Sequence, residues 1–251
     1  MFGRLFGAPG QKVAAAPPRV DAGSRIYAVG DIHGRLDLLR EIDARIQDDA
    51  ARAPASRNIV VYLGDYIDRG EHSREVIDWL IDSPLPAFER VLLLGNHEDS
   101  LLQFLGDVQI GPAWLAYGGV ATLLSYGVDP PATNRELVRA QEELRSRLPA
   151  GHLAFMRRLQ LCHVEGDYYF VHAGIRPGVA LAAQVPQDML WIREEFLASR
   201  QDFGKIVVHG HTIAEAPTVK HNRIGIDTGA FASGKLTCLV LQDEARSFLQ
   251  T

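Results

Sequence analysis

Three apolar runs in the first hundred residues each end in a glycine-rich turn that carries Asp, His or Asn. The runs cover residues 26–29, 59–63 and 91–94 and are rich in Leu and β-branched residues, which is typical of buried strands. A helical pattern follows each run, and this alternation predicts parallel strands joined by helical crossovers. Ligands of such sheets bind beyond the carboxyl ends of the strands, which is where the three turns lie.

The predicted elements of this region form three strand–helix pairs. The strands cover 25–29, 58–63 and 90–94, and the helices cover 36–50, 73–81 and 98–105. The first helix places Leu36, Leu39, Ile42 and Ile46 on one face, and Ser73 is the predicted N-cap of the second helix. We therefore expect a parallel sheet that is covered by amphipathic helices.

The remaining segments of the chain differ in composition. Residues 1–23 are rich in Gly, Ala and Pro and predict a disordered leader. Residues 112–160 have a helical and polar pattern without a cluster of metal-binding side chains, which predicts a helical insertion or cap beside the site. Further strands are predicted at 168–172, 205–209, 223–227 and 235–241. Because no long polar linker follows residue 24, we expect residues 24–251 to form a single α/β domain.

The overall composition excludes several classes of function. A chain of 251 residues with 47% hydrophobic and 23% charged residues has the profile of an ordinary globular protein. Its net charge of −5 gives no electrostatic basis for binding nucleic acid, and no stretch approaches the roughly 20 apolar residues of a membrane span. Cys162 and Cys238 lie in no metal-binding spacing, so we expect reduced thiols in a cytoplasmic protein. The oligomeric state is left open.

Five short fragments join a metal-binding side chain to glycine. They are Gly30-Asp31-Ile32-His33-Gly34, Gly64-Asp65-Tyr66-Ile67-Asp68-Arg69-Gly70, Gly95-Asn96-His97-Glu98, His172-Ala173-Gly174 and Gly210-His211-Thr212. Asp31 and His33 are two residues apart, so in an extended segment both side chains point to the same side and can bind one ion. The Asp65 carboxylate has two oxygens and can bridge that ion to a second one.

The other fragments supply ligands for the second ion, namely the amide oxygen of Asn96 and the imidazoles of His172 and His211. Two divalent ions held by two aspartates leave a positive charge that suits a hydroxide and a phosphate anion. A mixed set of oxygen and nitrogen ligands without sulfur favours transition metals over Ca²⁺ and Mg²⁺. We expect two divalent ions per chain, with Mn²⁺ first and Fe, Zn²⁺ or Co²⁺ as alternatives.

The second and third fragments also carry candidate catalytic groups. His97 follows Asn96 directly and is predicted to face the leaving group as a general acid, with Asp68 holding its imidazole. Arg69 offers a planar fork of donors for phosphate oxygens. Glu98 is predicted to anchor its loop by hydrogen bonds or to cap the following helix.

These fragments resemble the motifs of the calcineurin-like metallophosphoesterases, and more narrowly those of the phosphoprotein (serine/threonine) phosphatases in their small bacterial and phage branch. Residues 190–194 resemble the family segment that donates a second phosphate-binding arginine, here Arg193, and residues 226–230 resemble its closing strand and turn. The resemblance covers roughly residues 25–242. It implies an α/β fold, a four-layer αββα sandwich of two mixed sheets with both metals at the sheet edges.

The resemblance also implies a role for each motif residue. One metal is held by Asp31, His33 and Asp65, and the other by Asp65, Asn96, His172 and His211. His97 with Asp68 is the catalytic acid, and the phosphate is bound by Arg69, Arg193 and Asn96. The implied reaction is hydrolysis of phosphoserine or phosphothreonine in a protein, or of a small phosphate ester, by a metal-activated hydroxide.

Leu94 is a departure from the family pattern, because many of these protein phosphatases have arginine immediately before Gly-Asn-His-Glu. The symmetrical diadenosine tetraphosphate hydrolases, which are close relatives, also have an apolar residue there. They usually lack the Asp-Arg pair of the second motif and read Gly-Asn-His-Asp. Since this chain has Asp68, Arg69 and Glu98, the pattern favours a protein phosphatase over such a hydrolase, and both over a non-catalytic scaffold.

Overall fold

The computed structural model describes residues 16–82 and 85–251. Strands β1 to β10 are Ser24–Val29, Arg57–Tyr62, Glu89–Leu92, Cys162–Glu165, Tyr168–Val171, Ile206–His209, Thr218–Val219, Arg223–Gly225, Thr237–Gln242 and Ala245–Gln250. Helices α1 to α10 are Leu36–Arg52, Ser73–Asp82, Asn96–Gly106, Gly111–Trp114, Val120–Ser125, Asn134–Arg147, Ala150–Met156, Pro186–Trp191, Glu194–Leu197 and Ala230–Ser233. A π-helical turn, Leu115–Gly119, joins α4 to α5.

The strands form two mixed sheets of five strands each in the described part of the chain. The first sheet has the order β10-β9-β1-β2-β3, in which β1, β2 and β3 are parallel. The second sheet has the order β4-β5-β6-β8-β7, in which β5, β6 and β8 are parallel. The predicted pair of mixed sheets is confirmed: the first sheet has antiparallel strands at one edge, and the second has them at both edges.

Side-chain alternation along the strands builds the four layers. In β1, Ile26 and Ala28 are buried between the two sheets, whereas Tyr27 and Val29 are buried beneath the helices that cover the first sheet. The outer face of the second sheet buries a third apolar cluster, which includes Phe196 of α9. The order of layers is therefore helix, sheet, sheet, helix, as predicted.

The predicted helical insertion at 112–160 is present as most of α4 together with α5, α6 and α7. More of the insertion is buried in the structure than its polar sequence pattern indicated. Trp114, Leu123, Leu144 and Phe155 are buried and join the apolar layer over the first sheet. The insertion therefore completes a helical layer in addition to flanking the site.

Two kinds of prediction about the elements differ from the structure. Strands β4, β7 and β10 were missed, because all three are edge strands in which at most one residue is buried. Ser73 is the first residue of α2, and its hydroxyl accepts the backbone N–H of Asp68 instead of capping the helix.

Within the ranges given above, no helix is long and apolar enough to cross a membrane.

Residues 1–15 of the predicted leader lie outside the described residues. Val20 is fully buried between the sheets, and its backbone N–H donates to the carbonyl of Asp243 at 3.0 Å. The backbone N–H of Arg19 donates to the Asp167 carboxylate at 3.0 Å. The folded part of the chain therefore includes residues upstream of the predicted boundary at residue 24.

Candidate active site

The six predicted metal ligands all follow parallel strands of the two sheets, and each is at most 6% exposed. Those that follow β1, β2 and β3 are Asp31, His33, Asp65 and Asn96, and those that follow β5 and β6 are His172 and His211. Because parallel strands end at the same sheet edge, these side chains come together at the carboxyl ends of both sheets.

Asp65 lies at the centre of this arrangement. Its Oδ2 is 3.6 Å from Nε2 of His33, and its Oδ1 is 3.4 Å from Nε2 of His172. Two groups of potential ligand atoms share Asp65. One group adds His33 and His97, and the other adds His172 and His211. Within each group the ligand atoms lie within 4.8 Å of one another. One carboxylate oxygen therefore faces each group, as a bridging ligand requires.

The histidines present lone pairs to the site. The Nδ1 atoms of His33 and His172 donate to the backbone carbonyls of Ile67 and Leu63, both at 2.9 Å, so each Nε2 is left unprotonated in the neutral ring. Burial lowers the pKa of His33 to about 3 and also lowers the pKa of His172. A neutral imidazole oriented by a backbone carbonyl is the form in which histidine binds metals.

The atoms around Asn96 fit a bound cation. Its Oδ1 lies 2.8 Å from Nε2 of His172, so that two electron-pair donors face each other. Nδ1 of His211 lies 2.9 Å from the same oxygen, and Nε2 of His211 is buried without a hydrogen-bond partner among the described residues. Burial lowers the pKa of His211 to about 2. Polar atoms buried in this way are costly unless a ligand satisfies them.

Asp31 and Asp227 place further buried carboxylates beside Asp65. Burial, followed by the charges of Asp227 and Asp65, raises the pKa of Asp31 well above its usual value. Burial and the charge of Asp65 likewise raise the pKa of Asp227 to about 6. Carboxylates that repel one another in this way are stabilised by cations, so the donor set fits divalent metal ions.

Asp227 was given no role from the sequence. A signal for Asp227 is nevertheless present in the sequence. Like Asp31, which lies two residues after β1 and next to Gly30, Asp227 lies two residues after β8 and shortly before Gly229. The Oδ1 atom of Asp227 accepts the backbone N–H of Gly229 at 2.9 Å.

His97 and Asp68 form a buried pair. Nδ1 of His97 donates to Oδ2 of Asp68 at 2.7 Å, and Nε2 of His97 faces Oδ2 of Asp65 at 3.8 Å. Burial lowers the pKa of His97, but the charge of Asp65 and the hydrogen bond to Asp68 outweigh it and raise the pKa above its ordinary value. The shift is toward the protonated imidazole, which is the form that a general acid needs.

The two candidate phosphate-binding arginines differ in depth. Arg69 places Nη1 2.9 Å from Nε2 of His33 and Nη2 3.2 Å from Nε2 of His97, and its guanidinium stacks over the ring of Phe231 at 4.7 Å. Arg193 is exposed at the start of α9, where its Nη1 donates to the carbonyl of His211 at 3.2 Å. The structure thus brings Arg69 into the centre and Arg193 to the rim.

Left-handed backbone conformations are concentrated at this site. Among the described residues, positive φ values at non-glycine positions occur at Asp243 in a surface turn and at five site residues. These five are His33, Asp65, Asp68, Arg69 and His211, with φ between 48° and 71°. Each such residue costs free energy, and the surrounding contacts must hold it in place.

Glu98 supplies part of this constraint. Its carboxylate accepts the backbone N–H groups of Asp65, Tyr66, Ile67 and Gly95 at 2.8–3.1 Å. The carboxylate therefore anchors the loop after β2 to the loop after β3 and also caps α3, in agreement with both alternatives for its role.

The insertion reaches two catalytic candidates, which the sequence did not indicate. Nε1 of Trp114 donates to Oδ2 of Asp68 at 2.9 Å, and the hydroxyl of Thr122 donates to Oδ1 of Asp68. The backbone N–H of Arg69 donates to the carbonyl of Gly118 at 3.1 Å. These contacts lie tens of residues apart in sequence, and neither Trp nor Thr marks a catalytic motif by its type.

Residues 24–230 match the family model of the calcineurin-like phosphoesterases. The chain belongs to this family. Among curated relatives of this phosphoesterase, serine/threonine-protein phosphatase 2 of Salmonella typhimurium is 31% identical over 225 residues, with 84% of this chain and 90% of the relative covered. The asymmetrical bis(5'-nucleosyl)-tetraphosphatase PrpE of Bacillus cereus is 27% identical over 226 residues, with 84% and 88% covered.

Solved structures of similar fold agree with the family assignment. A structure described as a putative diadenosine tetraphosphatase superposes on this phosphoesterase with a TM-score of 0.61 at 19% identity, covering 94% of this chain and 98% of the other. A cold-active protein tyrosine phosphatase superposes with a TM-score of 0.56 at 17% identity, covering 92% and 81%. At these identities the likeness concerns the fold alone.

Proposed function

We propose that this phosphoesterase is a dinuclear-metal-dependent phosphomonoesterase that acts on phosphoserine or phosphothreonine in proteins. The observation that carries the proposal is the joint placement of Arg69 and His97, whose Nη2 and Nε2 atoms lie 3.2 Å apart beside Asp65. A phosphate-binding fork and a proton donor then act on the same ester. The resemblance to the Salmonella phosphatase supports this substrate class.

The ions would be held by the residues that meet at Asp65. These are Asp31, His33, Asp65, Asn96, His172 and His211. When bound, two divalent ions supply positive charge that activates the attacking water and offsets the charge on the phosphate oxygens. The mixed carboxylate, amide and imidazole set suits divalent transition metals, and we propose Mn²⁺ before Fe, Zn²⁺ or Co²⁺.

The chain's own residues then divide the remaining work. The planar fork of Arg69 binds two phosphate oxygens and fixes their orientation, and Arg193 approaches from the rim. As water forms the new P–O bond and the ester P–O bond breaks, His97 gives its proton to the departing oxygen. Asp68 keeps the imidazole in place and stabilises its cationic form.

A substrate comparison tests this proposal. The Mn²⁺-loaded protein is incubated with a phosphoserine peptide, a phosphothreonine peptide and diadenosine tetraphosphate, and inorganic phosphate and nucleotides are measured. We expect phosphate release from the peptides, and we expect His97→Asn to lower turnover about 10²–10⁴-fold with the metal content retained. Negligible peptide turnover beside rapid nucleotide hydrolysis would overturn the protein phosphatase assignment.

Dinucleoside tetraphosphate hydrolysis is a second candidate because of Leu94. Its backbone N–H donates to the carbonyl of Gln160 at 2.7 Å, and its side chain offers no contact for a phosphate oxygen where many protein phosphatases have arginine. The Bacillus relatives are named as asymmetrical enzymes, which changes the expected products from those of symmetrical cleavage. Asymmetrical cleavage gives ATP and AMP, whereas symmetrical cleavage gives two ADP, so product analysis separates the two.

A further inference from the structure

We propose that Trp114 and Thr122 of the helical insertion are positioning residues for the acid His97, and that they act by fixing the carboxylate of Asp68. This inference rests on the proposed role of His97. It assigns a catalytic contribution to a segment that has no metal ligand and no charged group at the site.

Each oxygen of Asp68 receives a donor from the insertion. Oδ2 accepts both Nδ1–H of His97 and Nε1–H of Trp114, at 2.7 Å and 2.9 Å, and Oδ1 accepts the hydroxyl of Thr122. Oγ1 of Thr122 also accepts the backbone N–H of Asp68 at 3.0 Å. Asp68 is fully buried, so water does not replace a donor that is lost. The plane of the carboxylate, and with it the imidazole, is set by these two side chains.

The indole itself is held in one position. Trp114 is 1% exposed, and its ring lies against Phe104 with centroids 4.9 Å apart. The indole also lies against Gly119, where an added Cβ would lie 2.5 Å from Cε2 of the indole. The absence of a side chain at Gly119 thus provides the space that Trp114 needs to reach Asp68.

The inference makes a specific kinetic prediction. Proton donation matters for an ester with a poor leaving group and matters little when the leaving group departs readily as an anion. A residue that acts only through His97 should therefore affect phenyl phosphate far more than p-nitrophenyl phosphate. A residue that merely supports the fold should affect both esters alike.

The test uses Trp114→Phe, which keeps the apolar ring and removes the donor, in the full-length Mn²⁺-loaded protein. We expect kcat for phenyl phosphate to fall about tenfold or more and kcat for p-nitrophenyl phosphate to fall less than about threefold. Metal content should be unchanged, and the low-field proton resonance of the His97–Asp68 hydrogen bond should shift. In the His97→Asn background, Trp114→Phe should cause no further loss.

Two controls keep the test decisive. Trp79→Phe removes a comparable hydrogen bond in the same apolar layer, from the indole N–H of Trp79 to Oδ2 of Asp43 at 2.8 Å. This variant should change kcat for both esters equally. Thr122→Val removes the hydroxyl and Thr122→Ser keeps it, so Thr122→Val should reproduce the leaving-group dependence and Thr122→Ser should restore the native pattern. This pair carries the test if Trp114→Phe does not fold.

The two possible failures are distinguishable. An equal loss for both esters in Trp114→Phe and Thr122→Val, with leaving-group dependence in His97→Asn, would overturn the inference alone. A further loss from Trp114→Phe in the His97→Asn background would also overturn it. If His97→Asn itself lowers kcat equally for both esters, the acid role under the proposed function fails, and this inference fails with it.

Discussion

Oε2 of Glu98 accepts the backbone N–H of Asp65 at 2.9 Å and so joins the start of helix α3, which also carries Asn96, to the loop that carries the shared carboxylate. Neither partner of this bond can move without the other. Asp65 has φ of 53°, a conformation that a non-glycine residue holds only under such constraint. The position of the metal-bridging candidate is therefore fixed by a carboxylate that itself does not face the metals.

Glu98→Gln should destabilise the protein by roughly 2–4 kcal/mol, because an amide cannot accept four N–H groups and turns its own donors toward them. The free energy of unfolding is measured in urea on the metal-free proteins. Glu89→Gln, at an exposed residue paired with Arg57, is the control and should leave the free energy of unfolding close to that of the parent. Equal effects of the two substitutions would contradict the anchoring role.

Asp65→Asn should weaken the binding of both ions and abolish turnover, since one oxygen of Asp65 faces each group of ligands. Metal content after dialysis is measured by elemental analysis, beside unfolding of the metal-free protein. A cooperative unfolding transition of the metal-free variant will show that loss of metal is not loss of the fold. His33→Asn is the comparison and should mainly weaken one ion. Near-normal metal content in Asp65→Asn would refute the bridging role.

The sequence was enough to predict that the candidate metal ligands lie close together, because each of them follows a strand. The strand direction and the short glycine turns then determine where Asp31, Asp65 and His172 meet, without knowledge of distant contacts. The bond from Trp114 to Asp68 spans 46 residues and depends on how the insertion packs over the first sheet. Tryptophan at that position predicts burial and nothing about its hydrogen-bond partner.

The predicted strands show the same contrast: features set by local sequence were found, and features set by distant contacts were missed. The central strands β1, β2 and β6 were predicted from their apolar runs, and β10 was missed because its pairing with β9 is the main feature that defines it. Val20 was assigned to the leader because its neighbours are polar or small, although it is buried between the two sheets. Packing of this kind is set by the finished fold and leaves no periodic pattern in the sequence.

Asp43 should make stability depend on pH in a way that is separate from the active site. Its carboxyl group accepts hydrogen bonds from the hydroxyl of Tyr62 and the indole N–H of Trp79. Burial raises its pKa to about 6. A folded-state pKa above the unfolded value favours the neutral form, so the stabilisation is present below about pH 4 and is lost as the pH rises through 6. The stability of the parent relative to Asp43→Asn should fall by about 1.4 kcal/mol from pH 5 to 7.5. Urea unfolding of both metal-free proteins tests this, and parallel pH profiles would exclude it.

Gly118→Ala should weaken phosphate binding through Arg69. Gly118 has φ of 121°, and an added Cβ would lie 2.7 Å from Cγ and 2.9 Å from the backbone N of Arg69, whose N–H donates to the Gly118 carbonyl. The guanidinium must then shift, so KM for a phosphopeptide should rise about tenfold, toward the value of Arg69→Ala. Gly178→Ala is the matched control, because Gly178 has φ of 81° and no atom within 4 Å of an added Cβ. Both variants place a side chain at a positive φ and are therefore strained. If Gly178→Ala raises KM as much as Gly118→Ala does, backbone strain is the cause and displacement of Arg69 is not.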